Sequence, residues 1–234
     1  MIQPSKPFLN QRVLVTGASS GIGFAVAQAL ALAGAYIHAV ARHWKQAPPA
    51  WHTHCADLSV ESDVKRLAQE LQQDANPLDV VVHSAGAFAL GSVADFDIHE
   101  LDKLYAINVR APFLLTQLLL PQLIQSKGQV VFINSSAGIA SKQGLSGYSS
   151  TKFALKSIAD ALRLEVNEHG VRVMSVYPGK TASPMQEQVH KLLGQDYHAN
   201  KLMQAEDVAQ AVLAALVLPQ TAEMTDLHIR PMQK

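Results

Sequence analysis

Residues 12–23 read Arg-Val-Leu-Val-Thr-Gly-Ala-Ser-Ser-Gly-Ile-Gly, and an alanine-rich segment from Phe24 to Ala33 runs on to Gly34. Arg12–Thr16 is a short apolar run that stops at a turn, the pattern of a buried strand. The segment behind the glycines is a helix, with Gly34 as its C-terminal stop. Strand, glycine turn and helix in that order make a phosphate cradle. Gly17, Gly21 and Gly23 let the backbone approach a pyrophosphate, and the helix N-terminus offers unpaired N–H groups and a positive dipole end. The spacing is G-x-x-x-G-x-G rather than G-x-G-x-x-G. A tight turn without a ligand is the plain alternative; three glycines in seven residues between a strand and a helix favour a nucleotide.

Working outward, Tyr36–Val40 is a second strand. The residue that selects the nucleotide's ribose belongs just past its end, about 20 residues beyond the glycines. Ala41 and Arg42 stand there, with no carboxylate. A carboxylate would repel a 2′-phosphate, whereas an arginine pairs with it in a fork. The expected cofactor is therefore NADP(H), ahead of NAD(H). Pro48-Pro49 forbids an ordinary helix, so His43–Ala50 is a loop. Trp51–Cys55 reads as a strand with His52 and His54 on one face; no fourth ligand sits at a zinc-like spacing, and no metal site is expected. Asp57-Leu58-Ser59 opens a helix with Val60, Val64, Leu67 and Leu71 as its apolar face.

Leu78–Val82 is another buried strand, ending in His83-Ser84-Ala85-Gly86, whose small residues would let a nucleotide lie close. Asp97 and Glu100 form a capping-box pattern for a helix running to about Val109, with Asn108 inside it. Pro112 kinks or restarts that helix. Phe113–Ile124 is apolar nearly all round and is expected to be buried, a second subunit being one possible cover. Gln129–Asn134 and Val171–Tyr177 are strands, Tyr148–Glu168 a long helix ended by Gly170, Glu206–Leu218 a helix and Thr225–Arg230 a closing strand. Residues 180–204, polar and without a clean period from Lys180 to Asn200, read as a mobile lid. The alternation predicts an α/β chain built on an open parallel sheet. Ligands bind such sheets beyond the carboxyl ends of the strands. The glycine turn, His83–Gly86, Ser135 and Pro178-Gly179 all fall at such ends, which points to one shared site.

The chemistry is carried by residues 135–152, Ser-Ser-Ala-Gly-Ile-Ala-Ser-Lys-Gln-Gly-Leu-Ser-Gly-Tyr-Ser-Ser-Thr-Lys. Tyr148 and Lys152 stack on one helix face at a spacing of four. A phenol titrates near about 10, too high for acid–base work near neutrality. A neighbouring ammonium favours the phenolate and brings the pair into range. Ser135 is placed to hold a carbonyl oxygen beside the phenol. A tyrosine and a solvated lysine sharing a helix by chance is the plain alternative.

Composition sets bounds. The chain has 234 residues, 48% of them hydrophobic, enough for one domain with a substantial core. A formal net charge of zero argues against nucleic acid or an acidic membrane surface as main partner. One cysteine, Cys55, forbids an intrachain disulfide framework and fits a reducing, cytoplasmic setting. Residues 1–10 read as a tail, with Pro4 and Pro7 and no apolar run of a signal peptide or anchor. No apolar stretch looks long enough to span a bilayer, about 20 residues.

Taken together, Thr16–Gly23, Asp57, His83–Gly86, Asn108-Val109, Ser135–Gly138, Tyr148 with Lys152, and Pro178-Gly179 resemble the short-chain dehydrogenase/reductase family over almost the whole chain. The resemblance implies a single Rossmann-like domain over 1–234, a doubly wound parallel sheet with helices on both faces. It implies a catalytic set: Tyr148 as general acid/base, Lys152 lowering its pKa and holding the nicotinamide ribose, Ser135 positioning the substrate oxygen, and Asn108 holding a water that relays protons to Lys152. It places the cofactor against Gly17, Ser19, Ser20, Gly21, Ile22, Arg42, Asp57, Leu58, Ser84, Ala85, Gly86, Pro178, Gly179 and Thr181, together with Asn108, Tyr148 and Lys152. Asp57 would contact the adenine, and Ser19 with Arg42 would face a 2′-phosphate. Three departures stand out: His83-Ser84 where the family has two asparagines, Pro48-Pro49 after the second strand, and Ser183 with Thr181 where one threonine is expected. The implied activity is NADPH-dependent interconversion of a small to medium carbonyl compound and its alcohol by a homodimer or homotetramer. The alternatives are a 3-oxoacyl-thioester reductase and a non-catalytic NADP-binding redox sensor.

Overall fold

The computed structural model of the chain describes residues 6–232. Seven strands run β1 Arg12–Thr16, β2 Tyr36–Ala41, β3 His52–Cys55, β4 Val80–His83, β5 Gln129–Ile133, β6 Arg172–Pro178 and β7 Asp226–Ile229. All pair in parallel in the order β3-β2-β1-β4-β5-β6-β7. The order reverses between β1 and β4, so the chain winds outward in both directions from that point. The strands at the centre are apolar on both faces, as a sheet covered on both sides requires.

Helices supply the cover. On one face α1 (Gly21–Leu32) packs with a later helix, Ala205–Leu216, over Val13, Val15, Val82 and Val176. On the other face α2 (Glu61–Gln72), Ala111–Ser126 and Ser146–Val166 enclose Leu14, Val81, Phe132 and Val173. Between them α3 (Ile98–Tyr105) passes through a π-helical turn, Ala106–Arg110, into α4 (Ala111–Ser126). The remaining helices in order are α5 (Ser146–Val166), α6 (Pro184–Leu192) and α7 (Ala205–Leu216).

Several sequence expectations are corrected. Of the expected tail, residues 1–5 lie outside the described residues, but Phe8 is 2% exposed in the core and its N–H bonds to Ala33 O, so the segment seals the end of α1. α2 starts at Glu61, four residues later than expected: Asp57 is spent accepting from the N–H and hydroxyl of Ser59, a turn that precedes the helix and leaves Val60 exposed. The capping box at α3 is half formed, because Asp97 accepts from His99 N while Glu100 pairs with Lys103. α4 is apolar nearly all round but buried on one face only. Leu115, Leu119 and Leu123 are buried, and Phe113 is 52% exposed. The run Ile98–Ser126 is long and apolar enough by length and composition to cross a membrane, contrary to expectation. Here it packs across the sheet between α2 and α5, with Leu104 and the three α4 leucines inside the core. The segment after Lys180 is ordered as α6, started by Pro184 and capped by Ser183, whose hydroxyl accepts from Gln186 N. Its apolar positions are few enough that the sequence hides the period.

Candidate active site

At the switch point the carboxyl ends of β1 and β4 open onto a cleft of about 900 Å³. Buried Thr16 lies behind it. Its Oγ1 accepts from the N–H groups of Ser84 and Ala85, each at 3.1 Å, tying the exit of β4 to the exit of β1. That closeness is why residue 17 has no side chain: a Cβ on Gly17, at φ +67, would lie 2.8 Å from the Ala85 backbone. A Cβ on Gly23 would lie 2.4 Å from Gly17 O. The glycine turn is thus demanded by backbone packing as well as by room for a ligand. α1 begins at Ser20 with no side-chain cap and no acidic residue in its first turn. Its leading N–H groups, and the positive end of its dipole, border the cleft at Ser19–Gly23. This cradle suits a pyrophosphate.

Beyond the cradle, Val40–Arg42 and Ala56–Leu58 line the cleft's far end. Arg42 is exposed at the rim. The two hydrogen bonds from Ser59 hold the Asp57 carboxyl below its usual range, and the Arg42 charge adds to that. His83 departs from the cleft. It is buried, hydrogen-bonded through Nε2 to Thr116 Oγ1 at 2.8 Å and stacked on Phe132 at 5.0 Å. Burial pushes its imidazole down to about 3, so it is a neutral prop between sheet and α4.

At the other end, the exit of β5 is fixed to α5 by Asn134. Its Oδ1 accepts from Ser135 N at 2.9 Å and its Nδ2 donates to Lys152 O at 3.1 Å. A Cβ on Gly138 would lie 2.5 Å from that Oδ1, which accounts for the glycine in Ser135–Gly138. Ser135 Oγ accepts from Ala137 N at 3.1 Å, leaving its own hydrogen free to donate. α5 carries Tyr148 and Lys152 on one face, as the spacing predicts, with Lys152 Nζ 5.8 Å from the centre of the Tyr148 ring. Nζ donates to Ile133 O at 3.1 Å. Burial lowers Lys152 to about 8. Burial also raises the Tyr148 phenol, opposed by the Ser135 hydroxyl. The expected order of effects is therefore corrected. The amine sits over the ring and is held by a carbonyl, so desolvation, not the ammonium, sets the direction of the phenol's shift.

Asn108 lies in the π-helical turn, 1% exposed. Its Oδ1 accepts from Ala87 N at 2.8 Å, and its Nδ2 donates to Ala87 O and to Thr151 Oγ1, both at 3.0 Å. The side chain is thus a clamp between the β4 exit and α5. The extra residue of a π turn is what lets a helical asparagine reach a neighbouring loop. Pro178, Gly179 and Thr181 border the cleft, with Thr181 Oγ1 donating to Gly179 O at 3.1 Å. From there the chain turns over the opening. Ser183 Cβ lies 3.3 Å from the place a Gly21 Cβ would take, and Met185 Cε 4.0 Å from that of Gly86. Every residue that the resemblance assigns to catalysis or cofactor binding lines this one cleft except Asn108. Sequence reasoning gave Asn134 no role and read Thr16 only as the first residue of the glycine motif, since neither type signals anything until the loops they tie are seen. Phe88, in the segment 88–93 that the sequence offers as a pocket wall, packs its ring on Tyr148 at 5.0 Å.

Comparison with known proteins agrees with this picture. A family model described as short chain dehydrogenase matches residues 11–193. An uncharacterized oxidoreductase of Staphylococcus epidermidis is 31% identical over 93% of this chain and 96% of its own. An uncharacterized short-chain type dehydrogenase/reductase of Sinorhizobium fredii is 32% identical over 93% and 90%. Among solved structures, a short chain dehydrogenase from Shigella flexneri complexed with NADP superposes with a TM-score of 0.87 at 25% identity, over 97% of this chain and 99% of that one. A metagenomic short-chain oxidoreductase in complex with NADP gives 0.82 at 25% identity, over 97% and 100%.

Proposed function

The chain belongs to the short-chain dehydrogenase family, and on that premise we propose that it is an NADPH-dependent reductase that interconverts a carbonyl compound and its alcohol, with Tyr148 as the general acid/base. One observation carries the reading: Ser135, Tyr148 and Lys152 meet at one end of a cleft whose other end is a glycine cradle under the uncapped start of α1. The cradle has the room and the donors a dinucleotide's pyrophosphate needs. Arg42 at the rim, with no carboxylate beside it in the sequence at 41–42, and the NADP in the two related structures support NADP(H) over NAD(H).

NADPH, when bound, supplies the hydride that reduces the carbonyl carbon. Tyr148 gives its phenolic proton to the carbonyl oxygen as negative charge grows there. Ser135 donates its free hydroxyl hydrogen to the same oxygen, where a placed donor counts most. Lys152, titrating at about 8, returns a proton to the phenolate. Asn108 and Asn134 act as positioning residues, holding the β4 and β5 exits against α5. Phe113, Phe153 and Leu164, exposed on α4 and α5, support a homo-oligomer, and a cytoplasmic enzyme acting as one nucleotide-binding domain fits this use. The test is loss of NADPH absorbance with ketones, aldehydes and acyl thioesters, run in parallel with NADH. Turnover with NADPH clearly ahead of NADH is expected; no turnover of any carbonyl, or equal use of both cofactors, contradicts the reading.

A further inference from the structure

The half of the cleft beyond Tyr148 carries two apolar strips. On α6, Met185 and Val189 and the C-cap residue Leu193 recur every fourth position, and all three face the cleft. Met185 is 37% and Leu193 46% exposed, apolar surface that the protein itself leaves uncovered. Across from them stand Phe88, Leu90 and Leu145. The two loops that carry this opposite wall are locked together: Gly91 pairs with Leu145, and Gly91 N donates to Gly144 O at 2.9 Å. The Phe88 ring packs on Tyr148, so the apolar wall begins at the reacting group. Among the described residues lining the cleft, the single carboxylate is Asp57, at the nucleotide end. Lys142 and Lys180 are exposed at the mouth, and Gln143, Gln186, Gln188 and Gln195 add neutral amides.

Resting on the reductase reading, we propose that the substrate is an uncharged carbonyl compound bearing a medium-length hydrocarbon arm, which runs from Tyr148 between α6 and the Phe88–Leu90/Leu145 wall toward Leu193. The arm's length follows from the helix. Met185 to Leu193 spans eight residues, about 12 Å at about 1.5 Å per residue, the reach of a chain of roughly eight to ten carbons. A charged group along the arm's path would lie against the apolar side chains of Phe88, Leu90, Met185 and Val189, the Lys152 amine already being engaged by Ile133.

Two measurements separate this inference from the reading it rests on. With NADPH saturating, the dissociation constants of unreactive n-alkyl carboxamides, from butanamide to dodecanamide, are read by the shift in melting temperature. We expect affinity to rise about fourfold per methylene to about eight to ten carbons and then level. The variants Val189→Asn and Leu193→Gln flatten that slope; Leu193 is too exposed for the change to unfold the chain. In parallel, kcat/KM is compared for 2-alkanones of the same lengths and for keto acids carrying a terminal carboxylate. A slope that is flat in the unmutated protein, or keto acids preferred over alkanones of equal length, overturns the arm. Carboxamides that bind with the expected slope while no alkanone turns over leave the arm standing and remove the reductase.

Discussion

Lys152 shows how much of this chemistry is set by surroundings rather than by residue type. The side chain is 4% exposed, its amine held by Ile133 O and lowered by burial to about 8. Below that pH it is an ammonium with a proton to pass to the Tyr148 phenolate; above it the proton is gone. The rate of carbonyl reduction should therefore fall as pH rises through about 8, and a kcat that stays flat from pH 7 to 9.5 contradicts the relay. The pairing of Tyr148 with Lys152 was legible because a spacing of four fixes a shared helix face. The sign of the phenol's shift was not, since it depends on burial and on a carbonyl from another strand. Asn108 was legible as a marked position but not as a clamp, because only the π turn aims it at Ala87 and Thr151.

Among the elements, α6 is the one whose form departs most from the sequence reading. Strong apolar runs made β1, β4 and β5 plain, and Gly34 and Gly170, at φ +101 and +78, mark chain reversals that any reader of glycines would place. α6 lacks such a run, because its few apolar side chains face a ligand cleft rather than the core, and a mixed surface looks like a loop. Its N-terminus hangs on Ser183: the hydroxyl accepts from Gln186 N at 3.1 Å, and the backbone N–H donates to Tyr197 at 3.2 Å. Ser183→Ala removes the cap, a loss of about 1 kcal/mol. The expected result is faster amide hydrogen exchange confined to 184–192, with α1 and α5 unchanged. Exchange unaltered in α6 would show that the cap does not hold the segment down.

Across the whole molecule, the parallel sheet follows from alternation of strand and helix, which was readable in advance, while the double winding came with the family resemblance and the order β3-β2-β1-β4-β5-β6-β7 only with the structure. What was not readable is how the interior manages its imidazoles. His38 packs against Arg12, His52 and His54 between sheet and α2, with Glu70 and Asp74 as the facing carboxylates and Tyr36 bonded to His52. Burial first, then Arg12 and the two histidines, lowers it to about 4, while buried His83 goes to about 3. In the unfolded chain both take up protons as pH falls through about 6.5. The folded state refuses them until about 4 and about 3, so stability is full above 6.5 and lost as pH falls from there. Melting temperature should drop steadily from pH 6.5 to 4; a constant value over that range contradicts the buried neutral pair. The account as a whole turns on one phenol at the meeting of β5, α5 and the cleft. The direct test is Tyr148→Phe, with kcat for ketone reduction and the NADPH dissociation constant measured on the same preparation. The account predicts a kcat lower by about 10²–10⁴-fold with NADPH binding within about twofold of the unmutated protein, and a variant that still turns over at near the original rate would contradict it.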